Sequence, residues 1–324
     1  MDAFGRVVDY LRISVTDRCN ERCLYCMPEG YRGWENTRDH LSAEEIVRVV
    51  RVAAGLGFRK FRLTGGEPLV RRDLGEIARA MHALPGVECI GLSTNGTRLE
   101  ALAQPLRDAG LRTVNVSLDA LDANRYRRIT GGDINAVLAG IRAAVAVGFE
   151  RVKLNCVLMR GVNEVELWPL VLFAAEHGLP LRFIELMPVT SAEVLSGANF
   201  FPVTEAMRLL ALRDELVAEP GRQLGWGPAR YYRLRHTNTL VGFIGALTTP
   251  HFCDTCNKLR LTADGKVRPC LGDPGEMDLR RVLRDGQGDG AVRDLLLAAL
   301  RGKPEAHRFC AEYQPGRPMT AVGG

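Results

Sequence analysis

The chain lacks any apolar run of the roughly 20 residues that a membrane-spanning helix requires. Its first 17 residues are charged and contain no apolar core of a secretory signal, so we expect a cytoplasmic protein with no membrane partner. Long-period repeats, heptads and low-complexity segments are also missing, which excludes solenoids, coiled coils and disorder as the main state. With 324 residues, 46% of them hydrophobic, the chain can bury a substantial core without disulfides.

An excess of one charge is also missing. The net charge is +5, from 43 basic and 38 acidic residues, which is too weak to indicate a stable nucleic-acid partner. Only five of the 43 basic residues are Lys. A GC-rich genome would explain this preference for Arg, and so would a need for guanidinium groups that bind phosphate. Composition does not separate the two explanations. The phosphate-binding motif G-x-x-x-x-G-K-[ST] is absent, so a bound nucleotide must be held by dispersed side chains.

Strand-like and helix-like segments alternate six times over the first 190 residues. Ser42 and Glu45 form a capping box, which predicts a helix that runs to about Leu56. The expected strands are 11–15, 60–64, 87–93, 113–118, 151–158 and 181–186, and the other expected helices are 72–84, 99–109, 135–147 and 164–177. This alternation predicts a parallel α/β sheet, and six strands predict a partial (β/α)6 TIM-like barrel that is open on one side.

The alternation ends after residue 188. We therefore expect a barrel domain over 1–188 and a C-terminal region over 189–324 that closes the open side. Residues 189–230 are rich in Gly and Pro and predict irregular structure with one helix over 204–213. Strand-like patches follow over 231–247, and two helical stretches are expected over 277–300.

Six of the nine cysteines fall into two groups, and clustered cysteines in a cytosolic chain indicate metal binding or catalysis rather than disulfides. Cys19, Cys23 and Cys26 follow the first strand, where active-site loops of parallel barrels lie. Three thiolates leave one position of a zinc site or of an iron–sulfur cubane to another ligand. Zinc with a distant His is therefore one alternative. Cys89 and Cys156 are isolated, and we expect them to be buried in strands as small hydrophobic residues.

The second group is Cys253, Cys256 and Cys270. Two interpretations are open: a structural zinc site completed by His251, or a second [4Fe-4S] cluster bound by three cysteines. Between Cys256 and Cys270, residues 257–262 alternate basic with apolar side chains, which predicts a half-buried strand with one face toward a ligand. Cations beside a metal site suit a substrate that carries phosphate.

The first group, with Tyr25 before its last Cys and with Gly65-Gly66-Glu67-Pro68 after the second strand, resembles the radical S-adenosylmethionine (SAM) superfamily. In that superfamily the three cysteines hold a [4Fe-4S] cluster whose open iron binds SAM. Two glycines lack a Cβ and let the backbone approach a ligand closely, although alone they would indicate a plain turn. The resemblance therefore implies radical chemistry initiated by a 5′-deoxyadenosyl radical.

Both groups together resemble one family, GTP 3′,8-cyclase, whose reaction begins molybdenum cofactor biosynthesis. The matching segments are 11–20, 62–68, 93–96, 115–119, 153–155, 182–188, the second cysteine group and the final two glycines. The resemblance covers nearly the whole chain. It implies two [4Fe-4S] clusters, SAM, abstraction of the ribose C3′ hydrogen of GTP, and attack of the resulting radical on guanine C8.

The resemblance also implies residue roles. SAM would be contacted by Tyr25, Gly66, Glu67, Ser117 and Met187. GTP would be contacted by Arg12, Arg62, Ser93, Thr94, Lys153, Lys258, Leu259 and Arg260. The clusters would be held by Cys19, Cys23 and Cys26 and by Cys253, Cys256 and Cys270, with the guanine base at the second cluster. Taken singly, Arg12, Arg62 and Lys153 could each be a structural charge. Lys258 and Ser93 depart from the family's commoner Arg and Thr.

Composition alone makes Gly323-Gly324 a frayed end. The resemblance implies instead that this tail enters the barrel and is needed for productive chemistry. It also implies an electron donor and transfer of the product to cyclic pyranopterin monophosphate synthase. The sequence does not decide whether the protein is a homodimer. The two cysteine groups leave two alternative functions open: a different radical SAM enzyme with an auxiliary cluster, such as a peptide modifier, and a zinc-dependent nucleic-acid-binding module.

Overall fold

The computed structural model describes residues 1–27, 39–189, 198–221, 224–225, 227–309 and 317–323. Its strands are β1 (Tyr10–Ser14), β2 (Lys60–Thr64), β3 (Cys89–Thr94), β4 (Leu111–Ser117), β5 (Arg151–Leu158), β6 (Leu181–Glu185), β7 (Leu216–Ala218), β8 (Arg230–Leu234), β9 (Leu240–Ile244), β10 (Lys258–Leu261), β11 (Lys266–Arg268) and β12 (Met277–Asp278). Its helices are α1 (Ala43–Gly55), α2 (Leu74–His82), α3 (Leu99–Asp108), α4 (Ala123–Thr130), α5 (Ile134–Ala146), α6 (Leu167–Glu176), α7 (Val203–Ala211), α8 (Leu279–Arg284), α9 (Asp289–Arg301) and α10 (Met319–Val322).

All twelve strands form one sheet in the order β12-β11-β10-β1-β2-β3-β4-β5-β6-β9-β8-β7. Strands β1 to β6 are parallel neighbours, which confirms the predicted partial (β/α)6 barrel. The C-terminal region adds a parallel strand at each edge, β10 beside β1 and β9 beside β6. Antiparallel strands β11 and β8 follow outside them, so the sheet stays open and is not closed into a barrel.

Local capping signals mark the start of helices α1 and α4. Ser42 caps α1: its hydroxyl accepts from the Glu45 amide at 3.2 Å, and Glu45 accepts from the Ser42 amide at 2.8 Å, which confirms the capping box. Helix α4 was not predicted, although Asp122 caps its start and Gly131 ends it with a left-handed φ of +71°. The helix contains few apolar and many polar residues, so the apolar periodicity that predicts a helix is weak here.

Side chains alternate between two faces along each parallel strand. On β1 and β2 the outer face carries Leu11, Ile13, Phe61 and Leu63, which are at most 1% exposed and pack in the core under the helices. Burial of each such side chain stabilises the fold by about 1.5–3 kcal/mol. The inner face is mostly polar along β1 to β5, with Val157 of β5 among the apolar exceptions, so the same alternation that builds the core directs polar groups inward.

Two smaller expectations were also tested. Cys89 and Cys156 are buried in β3 and β5, as predicted for isolated cysteines. Within the described part of the chain, no helix is both long and apolar enough to cross a membrane.

Candidate active site

A cavity of about 370 Å³ lies inside the open barrel. Both cysteine groups line it. The residues predicted to contact SAM or GTP that also line it are Arg12, Tyr25, Arg62, Gly66, Glu67, Ser93, Thr94, Ser117, Lys153, Met187, Lys258 and Arg260. Leu259 does not line it, because its side chain is fully buried in the core on the opposite face of β10.

The first cysteine group lies in the loop after β1, and the glycine pair after β2 packs on the start of this loop. Gly66 and Glu67 donate backbone hydrogen bonds to the carbonyls of Thr16 and Arg18 at 2.8 and 2.7 Å. A Cβ on Gly65 would lie 2.3 Å from the Thr16 oxygen, and a Cβ on Gly66 2.3 Å from the Arg18 oxygen. Glycine is therefore required here because two backbones touch, which a plain turn would not require.

Glu67 is buried and organises the end of β3. Its carboxylate accepts from the Thr94 hydroxyl at 2.7 Å, from the Asn95 amide at 2.7 Å and from the Leu69 amide at 2.9 Å. Burial raises the pKa of Glu67 to about 7, against the lowering effect of these donors. This side chain joins the ends of β2 and β3 beside the first cysteine group.

Tyr25 is fixed by an acid to which the sequence analysis gave no role. Its hydroxyl donates to Asp119 at 2.7 Å, and the other oxygen of Asp119 accepts from the Val157 amide at 2.8 Å. Burial raises the pKa of Asp119 to about 6. Asp119 follows the end of β4, and that position was the available signal, since side chains after parallel strands converge at one end of a barrel.

The first three thiols suit a metal centre that binds thiolates. Burial raises the pKa of Cys19 and of Cys26 to about 12, and binding to a metal would favour their thiolate forms. Among the described residues, no three His, Cys, Asp or Glu side chains are close enough together to hold a single metal ion. A cubane cluster has different needs, because each of three cysteines bonds a different iron. The donor set therefore fits a [4Fe-4S] cluster.

The second cysteine group lies before β10 and after β11. Cys256 donates its backbone amide to the Cys253 carbonyl at 3.0 Å, which forms a tight turn between the two cysteines. His251 points away from it: its side chain is 80% exposed and lies 3.0 Å from Asp254. The zinc site completed by His251 is therefore not supported. The three thiols face the same cavity as the first group and again fit a cluster bound by three cysteines.

Strand register places guanidinium groups side by side on the inner face. Arg12 pairs across the sheet with Arg62 on β2 and with Arg260 on β10. Arg62 is held in place by hydrogen bonds to the Tyr10 hydroxyl at 2.5 Å, the Leu92 carbonyl at 2.6 Å and the Thr113 hydroxyl at 3.1 Å. Like charges on adjacent strands repel one another, so an anion bound between them would stabilise the arrangement.

Lys153 extends this basic surface to β5. Burial lowers the pKa of Lys153 to about 6, and the neighbouring cations Arg182, Arg62 and Arg151 lower it further in that order. Arg182 on β6 lines the cavity and donates to Asn155 at 2.8 Å, yet the sequence analysis assigned it no role. Arg182 could have been identified from the sequence by its position on the inward-facing side of the strand's period-2 alternation. Within the described ranges of the chain, the Arg and Lys residues that line the cavity are Arg12, Arg62, Arg151, Lys153, Arg182, Lys258, Arg260 and Lys303.

The C-terminal tail packs inside the open barrel. Helix α10 precedes Gly323, whose carbonyl accepts from the Arg260 guanidinium at 2.5 Å. Arg317, before the helix, forms two hydrogen bonds to the Asp264 carboxylate, at 2.9 and 2.6 Å. The frayed end that composition alone predicts for Gly323-Gly324 is therefore wrong at Gly323. Gly324 lies outside the described residues.

Comparisons with known proteins agree with this geometry. Residues 13–174 match the Radical SAM superfamily, and residues 179–309 match the family described as Molybdenum Cofactor Synthesis C. A GTP 3′,8-cyclase of Pelotomaculum thermopropionicum is 44% identical over 325 residues, covering 100% of this chain and 99% of that protein. GTP 3′,8-cyclase 1 of Pseudomonas aeruginosa is 46% identical over 332 residues, with the same coverage of both chains.

A solved structure supports the fold alone. Streptococcus suis SuiB, bound to its precursor peptide SuiA, matches with a TM-score of 0.60 at 16% identity, over 89% of this chain and 67% of that one. The resemblance of the whole chain to cyclases is much stronger than this likeness to a protein that binds a peptide.

Proposed function

The chain belongs to the GTP 3′,8-cyclase family of radical SAM enzymes, and from this premise we propose that its cavity brings SAM and GTP together between two iron–sulfur clusters. The activity is the cyclisation of GTP to (8S)-3′,8-cyclo-7,8-dihydroguanosine 5′-triphosphate in molybdenum cofactor biosynthesis. One observation carries the proposal: two groups of three cysteines and a surface of basic side chains open onto the same cavity.

The first cysteine group forms the SAM end. Cys19, Cys23 and Cys26 hold the first cluster. When bound, that cluster supplies the electron that cleaves SAM and so generates the radical that takes the C3′ hydrogen of GTP. The SAM contacts are Tyr25, Gly66, Glu67, Ser117 and Met187. Asp119 keeps the Tyr25 ring in one orientation, and the tightly packed Gly65-Gly66 backbone sets the edge on which the methionine part of SAM lies.

The basic surface forms the GTP end. Its side chains come from β1, β2, β5, β6 and β10 and from Lys303 after α9, which suits a triphosphate that no phosphate loop binds. The GTP contacts are Arg12, Arg62, Ser93, Thr94, Lys153, Lys258 and Arg260, with Leu259 limited to its backbone. Lys153 gains a proton when the anion binds, because a nearby negative charge raises the pKa of an ammonium.

The second cysteine group completes the GTP end. Cys253, Cys256 and Cys270 would hold a second [4Fe-4S] cluster, and the guanine base would bind on this side of the cavity. The tail contacts Arg260 through the Gly323 carbonyl, and it keeps the substrate in reactive geometry. The chain divides near residue 188 into a barrel and the part that carries this cluster. An electron donor is required, and cyclic pyranopterin monophosphate synthase takes the product.

The test uses the full chain, purified and reconstituted without oxygen. We expect about eight irons per chain, the content of two [4Fe-4S] clusters. Incubation with SAM, a reductant and GTP should give the cyclised nucleotide, detected by mass spectrometry. Cys23→Ser should abolish formation of 5′-deoxyadenosine and leave the second cluster assembled. Cys256→Ser should lose the cyclised product while SAM cleavage continues without coupling.

Three results would contradict the proposal. Zinc in place of iron would restore the nucleic-acid-binding alternative. SAM cleavage that GTP leaves unchanged, with no cyclised nucleotide, would favour a different radical SAM substrate such as a peptide. Formation of 5′-deoxyadenosine by Cys23→Ser would show that the two clusters are assigned to the wrong cysteine groups.

A further inference from the structure

Residues 303–309, here called the 303–309 segment, wrap the second cysteine group after helix α9. The backbone amide of His307 donates to the Cys253 sulfur at 3.4 Å. The amide of Arg308 donates to the Gly272 carbonyl at 2.8 Å, two residues after Cys270. The segment therefore contacts the chain at both ends of the cysteine group.

Lys303 begins this segment and connects two of the cysteine-bearing stretches. Its ammonium donates to the Pro269 carbonyl at 2.7 Å, directly before Cys270, and to the Lys258 carbonyl at 2.9 Å, two residues after Cys256. The side chain is 3% exposed and lines the cavity. These hydrogen bonds fix the distance between Cys256 and Cys270, which are fourteen positions apart in the chain.

The charge of Lys303 needs an explanation. No carboxylate among the described residues forms an ion pair with it, and its two carbonyl partners are neutral. A buried ammonium without an anion is costly. The groups that the structure places beside it are the thiols of the second cysteine group, because its two carbonyl partners lie two positions after Cys256 and one position before Cys270. Cysteines bind metal as thiolates. A cubane with three thiolates carries net negative charge, so a cluster there would balance Lys303.

We infer that Lys303 is a positioning residue of the second cluster, one that spaces Cys256 and Cys270 and whose positive charge raises the reduction potential of that cluster. The inference rests on the proposed function, because it requires the second cluster. Net charge and hydrogen bonds near the sulfurs are the means by which proteins tune the potentials of iron–sulfur clusters. Lys303 supplies the charge directly, and the backbone amide of His307 supplies a hydrogen bond to a second sulfur.

The experiment compares three variants of the full chain, reconstituted without oxygen. Lys303→Met keeps the length of the side chain and removes its charge, whereas Lys303→Arg keeps the charge. Lys266→Met is the matched control, because Lys266 lies on β11 near Cys270 but pairs with Asp278. Iron is counted per chain, and the potentials of both clusters are measured by redox titration followed by electron paramagnetic resonance.

We expect Lys303→Met to lower the potential of the second cluster and to leave that of the first unchanged. Lys303→Arg and Lys266→Met should both stay near the wild type. Selective loss of the second cluster in Lys303→Met, with the first cluster and SAM cleavage intact, would also support the positioning role.

Three results would overturn the inference. One is an unchanged second-cluster potential in Lys303→Met with full iron content. Another is an equal fall in the second-cluster potential in Lys303→Arg, which would show that the positive charge does not set the potential. The third is loss of both clusters in Lys303→Met, which would make Lys303 a general structural residue. A wild-type chain with about four irons would instead refute the second cluster itself before any variant is compared.

Discussion

Replacing Gly323 with Ala should unseat the C-terminal tail without disturbing either cysteine group. Gly323 has φ +86°, in the left-handed region that side chains rarely adopt. An added Cβ would lie 3.0 Å from the Ser14 Cβ and 3.1 Å from the Thr64 Cγ2, on the two strands that hold the tail. Neither neighbour can move freely, because both belong to paired strands of the sheet.

The size of the effect follows from two contributions. A left-handed backbone costs a residue with a side chain about 1–2 kcal/mol. The charged hydrogen bond from Arg260 to the Gly323 carbonyl, worth about 1.5–3 kcal/mol, acts in the opposite sense, because it holds the tail in its seat in the wild type and the variant alike. The backbone contribution alone lowers the ratio of seated to unseated tail by about 5–30-fold, since about 1.4 kcal/mol is tenfold.

The assay measures cyclised product, 5′-deoxyadenosine and the dissociation constant of GTP in the same preparation. We expect product to fall by up to about 5–30-fold while GTP affinity changes less than about threefold, because in the proposed function the tail holds reactive geometry and does not bind the triphosphate. Gly286→Ala is the matched control: its φ is +73°, and no atom lies within 4 Å of the added Cβ. Removal of Gly323-Gly324 should have the same effect, and a short peptide with the tail sequence should restore part of the activity. Full product formation by Gly323→Ala or by the truncated chain would refute this account of the tail.

Other residues of the cavity give further predictions. Arg62→Ala should weaken GTP binding, measured by calorimetry, by about 1.5–3 kcal/mol with little effect on SAM, and an equal loss of both affinities would make Arg62 structural. Lys258→Arg should keep or improve GTP affinity, because a planar guanidinium can donate to two oxygens, and a tenfold loss would contradict this. Lys153 has a pKa of about 6 in the fold and an ordinary value near 10.5 when unfolded, so between these pH values the unfolded chain binds the extra proton. The free energy of unfolding, measured with denaturant, should therefore rise with pH across pH 6.5–8.5, by at most about 1.4 kcal/mol per pH unit from this group. Lys153→Met should flatten this slope, and identical slopes in the two proteins would contradict the lowered pKa of Lys153.

Local patterns predicted the central strands well. The bounds of β2 and β5 agree with the expected segments 60–64 and 151–158, because each is a short apolar alternation between turn signals. The same alternation placed Arg12, Arg62 and Lys153 on the inner face, where the structure brings them together. Parallel register then aligns residues of equal height on neighbouring strands, which explains why side chains 50 or more positions apart meet in one cavity.

Contacts between distant segments were not predictable in this way. The pairing of β10 with β1 and of β9 with β6 depends on the approach of chain segments more than 50 residues apart, and no local pattern encodes the partner of an edge strand. Asp119 was in view as the last residue of a motif, but its bond to Tyr25 requires the loop after β1 to fold over β4. Lys303 shows the same limit, since a single lysine after a helix gives no sign that it meets two carbonyls beside the cysteines.

The central claim is that this cavity holds GTP with its C3′ hydrogen within reach of the radical that SAM cleavage generates. The most direct measurement uses GTP that carries deuterium at C3′, incubated with SAM and reductant under anaerobic conditions. The account predicts one deuterium in 5′-deoxyadenosine and none at C3′ of the cyclised nucleotide, both read by mass spectrometry. Unlabelled 5′-deoxyadenosine formed together with product that retains the deuterium would contradict it.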